Sequence, residues 1–186
     1  MNIIFPSNFY TKFRAPNAKE LIEIINSYQD TLVDNSKFGW GEGCSSDKIP
    51  LKSKDFEDLL QPSINLFAAD LGAKFNYILY NPWINLYKKG DFQEVHDHIA
   101  QDFACVFFAN DGENFARFYF ADRNSTALTR GAKIILKYQY HHFLRFDVGD
   151  IVFFPSHLLH GVTPHRSDII RKTLSFNFEI KHYYKP

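Results

Sequence analysis

Three histidines carry the strongest chemical signal in the chain. His96 and His98 form a His-x-His pair after Gly90, and His160 closes a second glycine-led segment that starts at Gly149. Alternate residues of a strand point to the same face, so His96 and His98 can bind one ion while the residue between them points away. A distant strand would supply His160. The spacing predicts a metal site, but imidazole suits Fe(II), Mn(II), Ni(II), Cu(II) and Zn(II) alike, so the metal stays open.

The composition of the chain excludes several classes of protein. The 186 residues suffice for one domain with a substantial core. Lys plus Arg equals Asp plus Glu at 21 each, so there is no basic field to attract nucleic acid. No segment approaches the roughly 18 apolar residues of a membrane span, and the start lacks a signal-peptide pattern. We therefore expect a single cytoplasmic domain over residues 1–186, with no nucleic-acid or membrane partner and an open oligomeric state.

The first part of the chain is predicted to form helices that support the rest of the fold. Asn17 is placed to cap a helix whose apolar residues recur at helical spacing. A second apolar helix pattern covers Phe56–Leu71, with a break or fresh start expected at Pro62 and a stop at Gly72. The polar, glycine-containing stretch Asp34–Ser53 is typical of a long loop. Such a loop is about as often an inert insertion as an active-site lid.

From Phe75 onward the pattern changes to short aromatic and β-branched runs between turn signals. This predicts a mainly β protein, with residues 1–73 as helical support and loop and residues 74–186 as a jelly-roll core with the helices on one sheet. The predicted strands are Phe75–Tyr80, Trp83–Tyr87, Phe103–Phe108, Phe115–Phe120, Lys133–Tyr138, Ile151–Phe154 and Leu174–Ile180.

The strand near the C-terminus has one polar and one apolar face. Arg171, Thr173, Ser175 and Asn177 alternate with apolar residues, so they share a face. We expect this face to line a cavity, where the planar guanidinium of Arg171 can bind a carboxylate and Thr173 can add a hydroxyl. The alternative is an exposed edge strand with Arg171 in solvent.

Another strand offers a possible second wall for this cavity. Trp83, Asn85 and Tyr87 also share one strand face. Asn85 and Tyr87 are therefore candidate ligand-binding residues, although the pattern fits a plain core equally well.

Together these segments resemble the 2-oxoglutarate and Fe(II)-dependent oxygenases, in particular a branch of small oxygenases related to prolyl hydroxylases. The resemblance spans about Asn81 to Ile180. It implies a double-stranded β-helix in which His96 and His160 bind Fe(II) and Arg171 pairs with the C5 carboxylate of 2-oxoglutarate. The implied reaction is hydroxylation of a peptidyl or small-molecule substrate. The segments that carry the resemblance are Trp83–Tyr87, Lys89–Gln93, His96–His98, Gly149–Pro155, His160–Val162 and Arg171–Asn177.

One departure concerns the third metal ligand. Most members of that superfamily have Asp or Glu at the position that His98 occupies here. Three histidines would make a less anionic site. Asp97 could enter the site if the strand is bulged, and Asp102 is a further candidate.

Asp102 also brings the metal cupins into consideration, because they share the barrel and place Glu soon after a His-x-His pair. Their second motif fits Gly149, Pro155 and His160, with His157 in place of a glycine. A non-oxygenase metal cupin, either an isomerase or a small-ligand-binding protein, is therefore the alternative function.

Overall fold

The computed structural model of the chain describes residues 7–28, 46–98, 100–123 and 128–184. These residues form eleven strands and three helices. The strands are β1 (Thr11–Arg14), β2 (Asp47–Pro50), β3 (Lys74–Leu79), β4 (Trp83–Tyr87), β5 (Gln93–His96), β6 (Phe103–Phe108), β7 (Phe118–Ala121), β8 (His141–Phe143), β9 (Asp150–Pro155), β10 (His160–Val162) and β11 (Arg171–Tyr184). The helices are α1 (Ala18–Ser27), α2 (Ser53–Asp70) and α3 (Arg130–Ile135).

The strands form two antiparallel sheets. Within the described residues, the larger sheet has seven strands in the order β1-β9-β6-β11-β4-β2, with β3 paired to the far end of β11. The smaller sheet has four strands in the order β5-β10-β7-β8. Side chains of both sheets, including Val106, Phe118, Phe154 and Val162, share one buried apolar cluster. The two sheets therefore face each other across this inner layer, which confirms the predicted mainly β jelly roll.

The outer face of the larger sheet is covered by helices. α1 and α2 bury their apolar stripes against phenylalanines of the sheet. Phe67 of α2, for example, stacks on Phe153 of β9 with ring centroids 4.7 Å apart. A fully buried aromatic side chain contributes roughly 1.5–3 kcal/mol to folding. The helices therefore pack on one sheet, as the sequence predicted.

Two details of the helices differ from expectation. The Asn17 side chain does not cap α1; its amide donates to the carbonyl of Leu59 on α2 at 3.4 Å instead. The expected break at Pro62 is also wrong, because α2 runs through it. Buried residues on both sides of the proline, Leu60 and Ile64, hold both halves of α2 against the sheet, so this packing outweighs the roughly 3 kcal/mol cost of an interior proline. Gly72, with φ +61°, ends the helix as predicted.

Two segments were assigned the wrong element. The predicted loop Asp34–Ser53 contains strand β2, which pairs with β4; residues 34–45 lie outside the described residues. The predicted strand Lys133–Tyr138 instead begins inside helix α3, which ends at Ile135, and continues as a turn. The helix is capped by the Thr129 hydroxyl, which accepts from the Ala132 N–H at 3.3 Å. None of its residues is buried, so its apolar run reflects no core strand. No helix in the described ranges is both long and apolar enough to cross a membrane.

Candidate metal and cosubstrate site

The three predicted histidines meet at one end of the sandwich, where β5 ends and β10 begins. His96 is the last residue of β5 and lies opposite His160, the first residue of β10. His98 follows β5 and is fixed by its backbone N–H, which donates to the carbonyl of Ser156 at 2.8 Å. One nitrogen from each ring lies within 4.8 Å of the other two. Adjacent ligands of a metal bound at about 2.1 Å are about 3 Å apart, so a small inward shift would complete a site.

Hydrogen bonds fix the orientation of two of these rings. Nδ1 of His96 lies 2.8 Å from the Glu94 carbonyl, and Nδ1 of His160 lies 2.9 Å from the Leu158 carbonyl. A carbonyl only accepts, so each Nδ1 carries the proton and each Nε2 keeps its lone pair. The lone pair of His96 faces the side-chain amide of Gln93, at 3.2 Å. This tautomer is the one that a metal ligand needs.

Burial keeps all three imidazoles uncharged. It lowers the pKa of His160 well below its ordinary value, and it also lowers the pKa of His96. Burial, together with the nearby His96 and Lys48, lowers the pKa of His98 to about 4. Neutral imidazoles are the form that binds a metal, so the cluster is ready to bind one at neutral pH.

These lowered pKa values predict that the metal-free protein loses stability in mild acid. The unfolded chain protonates His98 near pH 6.5, whereas the folded chain does so only near pH 4, so folded molecules bind fewer protons between these values. The free energy of unfolding should fall as pH drops through this window, by on the order of 3 kcal/mol from His98 alone. Urea unfolding in chelator at several pH values measures it. The His98→Gln variant should show a shallower slope, and an equal slope would contradict the assignment.

Arg171 lies deep between the two sheets. The β11 strand that carries it is internal to the larger sheet, so the alternative of an exposed edge strand is wrong. The side chain is 1% exposed, and among the described residues none of its three nitrogens has a hydrogen-bond partner. Its guanidinium lies over the Tyr87 ring, 4.9 Å from the centroid. Burial lowers the pKa of this guanidinium, and the nearby Tyr87 and Asp111 side chains partly offset that shift without forming a hydrogen bond of normal geometry. A buried cation without hydrogen bonds is costly, which makes the position suited to an anionic ligand.

A row of polar side chains connects Arg171 to the histidine cluster. Thr173 lies opposite Asn85, and Arg171 lies opposite Tyr87, on adjacent strands. The Asn85 amide donates to the Thr173 hydroxyl at 3.2 Å and to the Ser175 hydroxyl at 3.0 Å. All of these residues line one cavity together with the three histidines. The structure thus brings His96, His98 and His160 together with Asn85, Tyr87, Arg171 and Thr173 around one cavity.

The cavity is nearly filled in this conformation. Its volume is about 20 Å³, roughly the space for one water molecule. The Tyr87 hydroxyl donates to Gln93 at 3.0 Å, and Gln93 in turn contacts His96. A dicarboxylic acid is larger than this space, so side chains that line the cavity would have to move to admit it.

The two alternative carboxylates are held away from the cluster. Asp97 forms an ion pair with Arg123. Asp102 accepts a hydrogen bond from the backbone N–H of Ile180 at 2.7 Å. Neither belongs to the group of converging ligand atoms among the described residues.

Sequence reasoning missed two further residues at the site, Gln93 and Lys48. Gln93 contacts His96, and Asn177, recognised only as part of the polar face, lies with its amide nitrogen 3.3 Å from Nδ1 of His98. Lys48 of β2 lies opposite Asn85 and is buried. The β2 segment has the composition of a loop, so no sequence signal pointed to Lys48. For Asn177, the sequence signal was its alternation with apolar residues, which places it on the same strand face as Arg171.

A jelly roll with clustered imidazoles at one end and a buried arginine within is the arrangement of the non-haem iron oxygenases that use a 2-oxo acid. The chain belongs to the family described as "Putative 2OG-Fe(II) oxygenase", whose model matches residues 81–177. It is an Fe(II)- and 2-oxoglutarate-dependent oxygenase, as the sequence predicted, and the metal-cupin alternative is not supported. No curated protein sequence matches the chain.

Solved structures confirm the double-stranded β-helix. A 2OG-Fe(II) oxygenase family oxidoreductase from Burkholderia pseudomallei is 14% identical with a TM-score of 0.65, covering 91% of this chain and 84% of its own. The viral collagen prolyl hydroxylase of Paramecium bursaria Chlorella virus-1, in its 2OG complex, is 12% identical with a TM-score of 0.60, covering 94% and 98%. HygX from Streptomyces hygroscopicus, with nickel, 2-oxoglutarate and hygromycin B bound, is 12% identical with a TM-score of 0.65, covering 95% and 84%.

Proposed function

We propose that His96, His98 and His160 hold the Fe(II) and that Arg171 binds the C5 carboxylate of 2-oxoglutarate, in an enzyme that hydroxylates a peptidyl or small-molecule substrate. The observation that carries this proposal is the buried guanidinium, which lines the same cavity as three neutral imidazoles and has no hydrogen-bond partner among the described residues. A dicarboxylic acid that bridges the two would supply the missing acceptors.

The cavity residues divide the work of binding. Thr173 is next to Arg171 on the same strand face, so its hydroxyl can donate to the same carboxylate. Asn85 holds the Thr173 hydroxyl in place. Phe118 and Phe154 pack against His160, with ring centroids 5.7 and 4.8 Å away. These rings exclude water from the metal side and strengthen the charge-assisted bonds inside the cavity.

His98 takes the place of the usual carboxylate, and Asn177 positions it. The Asn177 side-chain oxygen is buried and has no partner among the described residues. Turning the amide over would place this oxygen against an Nδ1–H of His98 and leave Nε2 free for the metal. All three imidazoles would then have the same tautomer. The site would carry one negative charge fewer than a two-histidine, one-carboxylate site.

Bound Fe(II) supplies the oxygen chemistry, and the protein orients the reactants and excludes water. In the proposed reaction O2 gives one oxygen atom to a C–H bond of the substrate and one to 2-oxoglutarate, which leaves as succinate and CO2. Similar structures include a collagen prolyl hydroxylase, but also an epimerase and a carbocyclase. Hydroxylation is therefore our proposal within the oxygenase family.

Anaerobic titration tests the proposal. Adding 2-oxoglutarate to the Fe(II)-loaded protein should produce the visible metal-to-ligand charge-transfer band of a chelated 2-oxo acid, and admitting O2 should yield succinate. The band shows that 2-oxoglutarate chelates the metal through two oxygen atoms. A metal cupin that binds the ion without chelating 2-oxoglutarate would not produce it. Metal binding without the band, at saturating 2-oxoglutarate, would contradict the proposed roles.

A further inference from the structure

A second cavity shares no lining residue with the cavity that holds Arg171 and the three histidines. Its volume is about 380 Å³, within the range of about 300–1,000 Å³ for small-ligand sites. It is formed by the segment before β1, the end of β7, the start of β8 and the turn before β10. We call it the ring groove; the lining residues used below are Asn8, Tyr10, Phe120, Arg123, His142 and Leu158.

The wall of the ring groove consists of aromatic rings in ordered contact. Tyr10 stacks on Phe120 with centroids 5.5 Å apart and an interplanar angle of 18°. The Tyr10 hydroxyl lies 3.2 Å from Nε2 of His142, and the His142 ring is itself stacked near Phe120 at 6.5 Å. Tyr10 remains 39% exposed, so a ligand can reach it. Such a surface favours a flat ring that stacks and offers one polar edge.

The groove carries little net charge. Apart from histidines, the charged residues among its described lining residues are Asp122 and Arg123, which have opposite signs. Arg123 is already paired with Asp97. An ionised ligand would therefore lose hydration without gaining a matching charge. The groove suits an uncharged ring, with the amide of Asn8 and the Tyr10–His142 pair available for a hydroxyl or N–H.

Three groove residues contact the segments that carry the metal histidines. The Leu158 carbonyl accepts from Nδ1 of His160, at 2.9 Å. Arg123 pairs with Asp97, which stands between His96 and His98. Phe120 also lies directly opposite His160 in the pairing of β7 with β10. The groove therefore adjoins the segments that carry His160 and the His96–His98 pair.

We propose that the ring groove binds the primary substrate through an uncharged aromatic ring. This inference rests on the proposed function, because it makes the groove the substrate side of the same iron centre. The ring can belong to a free small molecule or to an aromatic residue of a peptide.

The test uses uncharged probes in titration calorimetry, with and without Fe(II) and 2-oxoglutarate under anaerobic conditions. N-acetyl-tyrosinamide should bind with a Kd of about 1 mM or lower, and N-acetyl-leucinamide about 10-fold more weakly. The aromatic probe should also shift the charge-transfer band, because Leu158 and Arg123 couple the groove to the histidines. A peptide with tyrosine flanked by glycines is the second probe. If it binds more tightly than N-acetyl-tyrosinamide, the ring belongs to a peptide; if the two bind equally, the ring belongs to a small molecule.

Two variants locate the binding. Tyr10→Ala should weaken binding of N-acetyl-tyrosinamide about 10-fold by removing the stacking surface. Tyr183→Ala is the matched control, because Tyr183 is an exposed tyrosine that does not line the groove. Equal affinity of the two variants, or equal binding of the leucine and tyrosine probes, would overturn the inference. If 2-oxoglutarate produces a normal charge-transfer band that no ring probe shifts, the proposed substrate role of the ring groove is refuted and the proposed function stands. If 2-oxoglutarate produces no band, the proposed function itself is refuted.

Discussion

Replacing His160 by alanine should abolish stoichiometric binding of Fe(II) or Mn(II), with an affinity loss of at least about 100-fold. Removing a whole ligand should exceed the 10- to 100-fold that altered outer contacts cost. His160 is buried, and its Nδ1 is already bonded to the Leu158 carbonyl; no other described histidine converges with His96 and His98. Calorimetric titration with Mn(II), which does not oxidise readily, measures the loss.

The matched controls lie close to the same strands. His141→Ala should leave metal binding unchanged, because His141 packs on Tyr119 and does not belong to the converging ligand atoms. Asp97→Asn should also retain the metal, since that carboxylate pairs with Arg123. Full metal occupancy in His160→Ala, or its loss in Asp97→Asn with retention in His98→Ala, would refute the three-histidine assignment.

The sequence was a better guide to which residues line the cavity than to the elements around it. Alternation on a strand has a period of two, so a single line of sequence shows that Arg171, Thr173 and Asn177 share a face. That inference needs no knowledge of the partner strand. Alternation could not show that β11 is internal to the sheet, or that the buried Arg171 has no hydrogen-bond partner among the described residues. Both facts depend on strand pairing between distant segments.

The errors have a common physical origin in tertiary contacts. Lys133–Tyr138 has the apolar composition of a strand, yet α3 forms there because Thr129 caps it and no sheet edge recruits the segment. β2 has the composition of a loop, yet its backbone pairs with β4 and places Lys48 near His96 and His98. In both segments local composition competed with long-range contacts that a single sequence does not display.

Arg171→Ala should weaken 2-oxoglutarate binding by about 30- to 1000-fold, while metal affinity stays nearly constant. A charge-assisted, bidentate pair in a desolvated cavity contributes about 2–4 kcal/mol, which gives that range. Arg171→Lys should recover only part of the loss, because an ammonium cannot reproduce the planar fork of the guanidinium. Titration of the charge-transfer band with 2-oxoglutarate measures the affinity, and Mn(II) calorimetry provides the metal control.

If Arg171 had a merely structural role, replacing it would lower the stability of the ligand-free protein. The proposed binding role predicts no such loss. Without ligand, the guanidinium is buried over Tyr87 and has no hydrogen-bond partner among the described residues. Arg171→Met removes that desolvated charge and keeps most of the apolar stem, so the free energy of unfolding should hold or rise by up to about 2 kcal/mol. Excess 2-oxoglutarate with Mn(II) should stabilise the wild-type protein by ligand linkage and the methionine variant far less. A large loss of stability in Arg171→Met without ligand, together with unchanged 2-oxoglutarate affinity, would make Arg171 a structural residue and leave the cosubstrate without its proposed anchor.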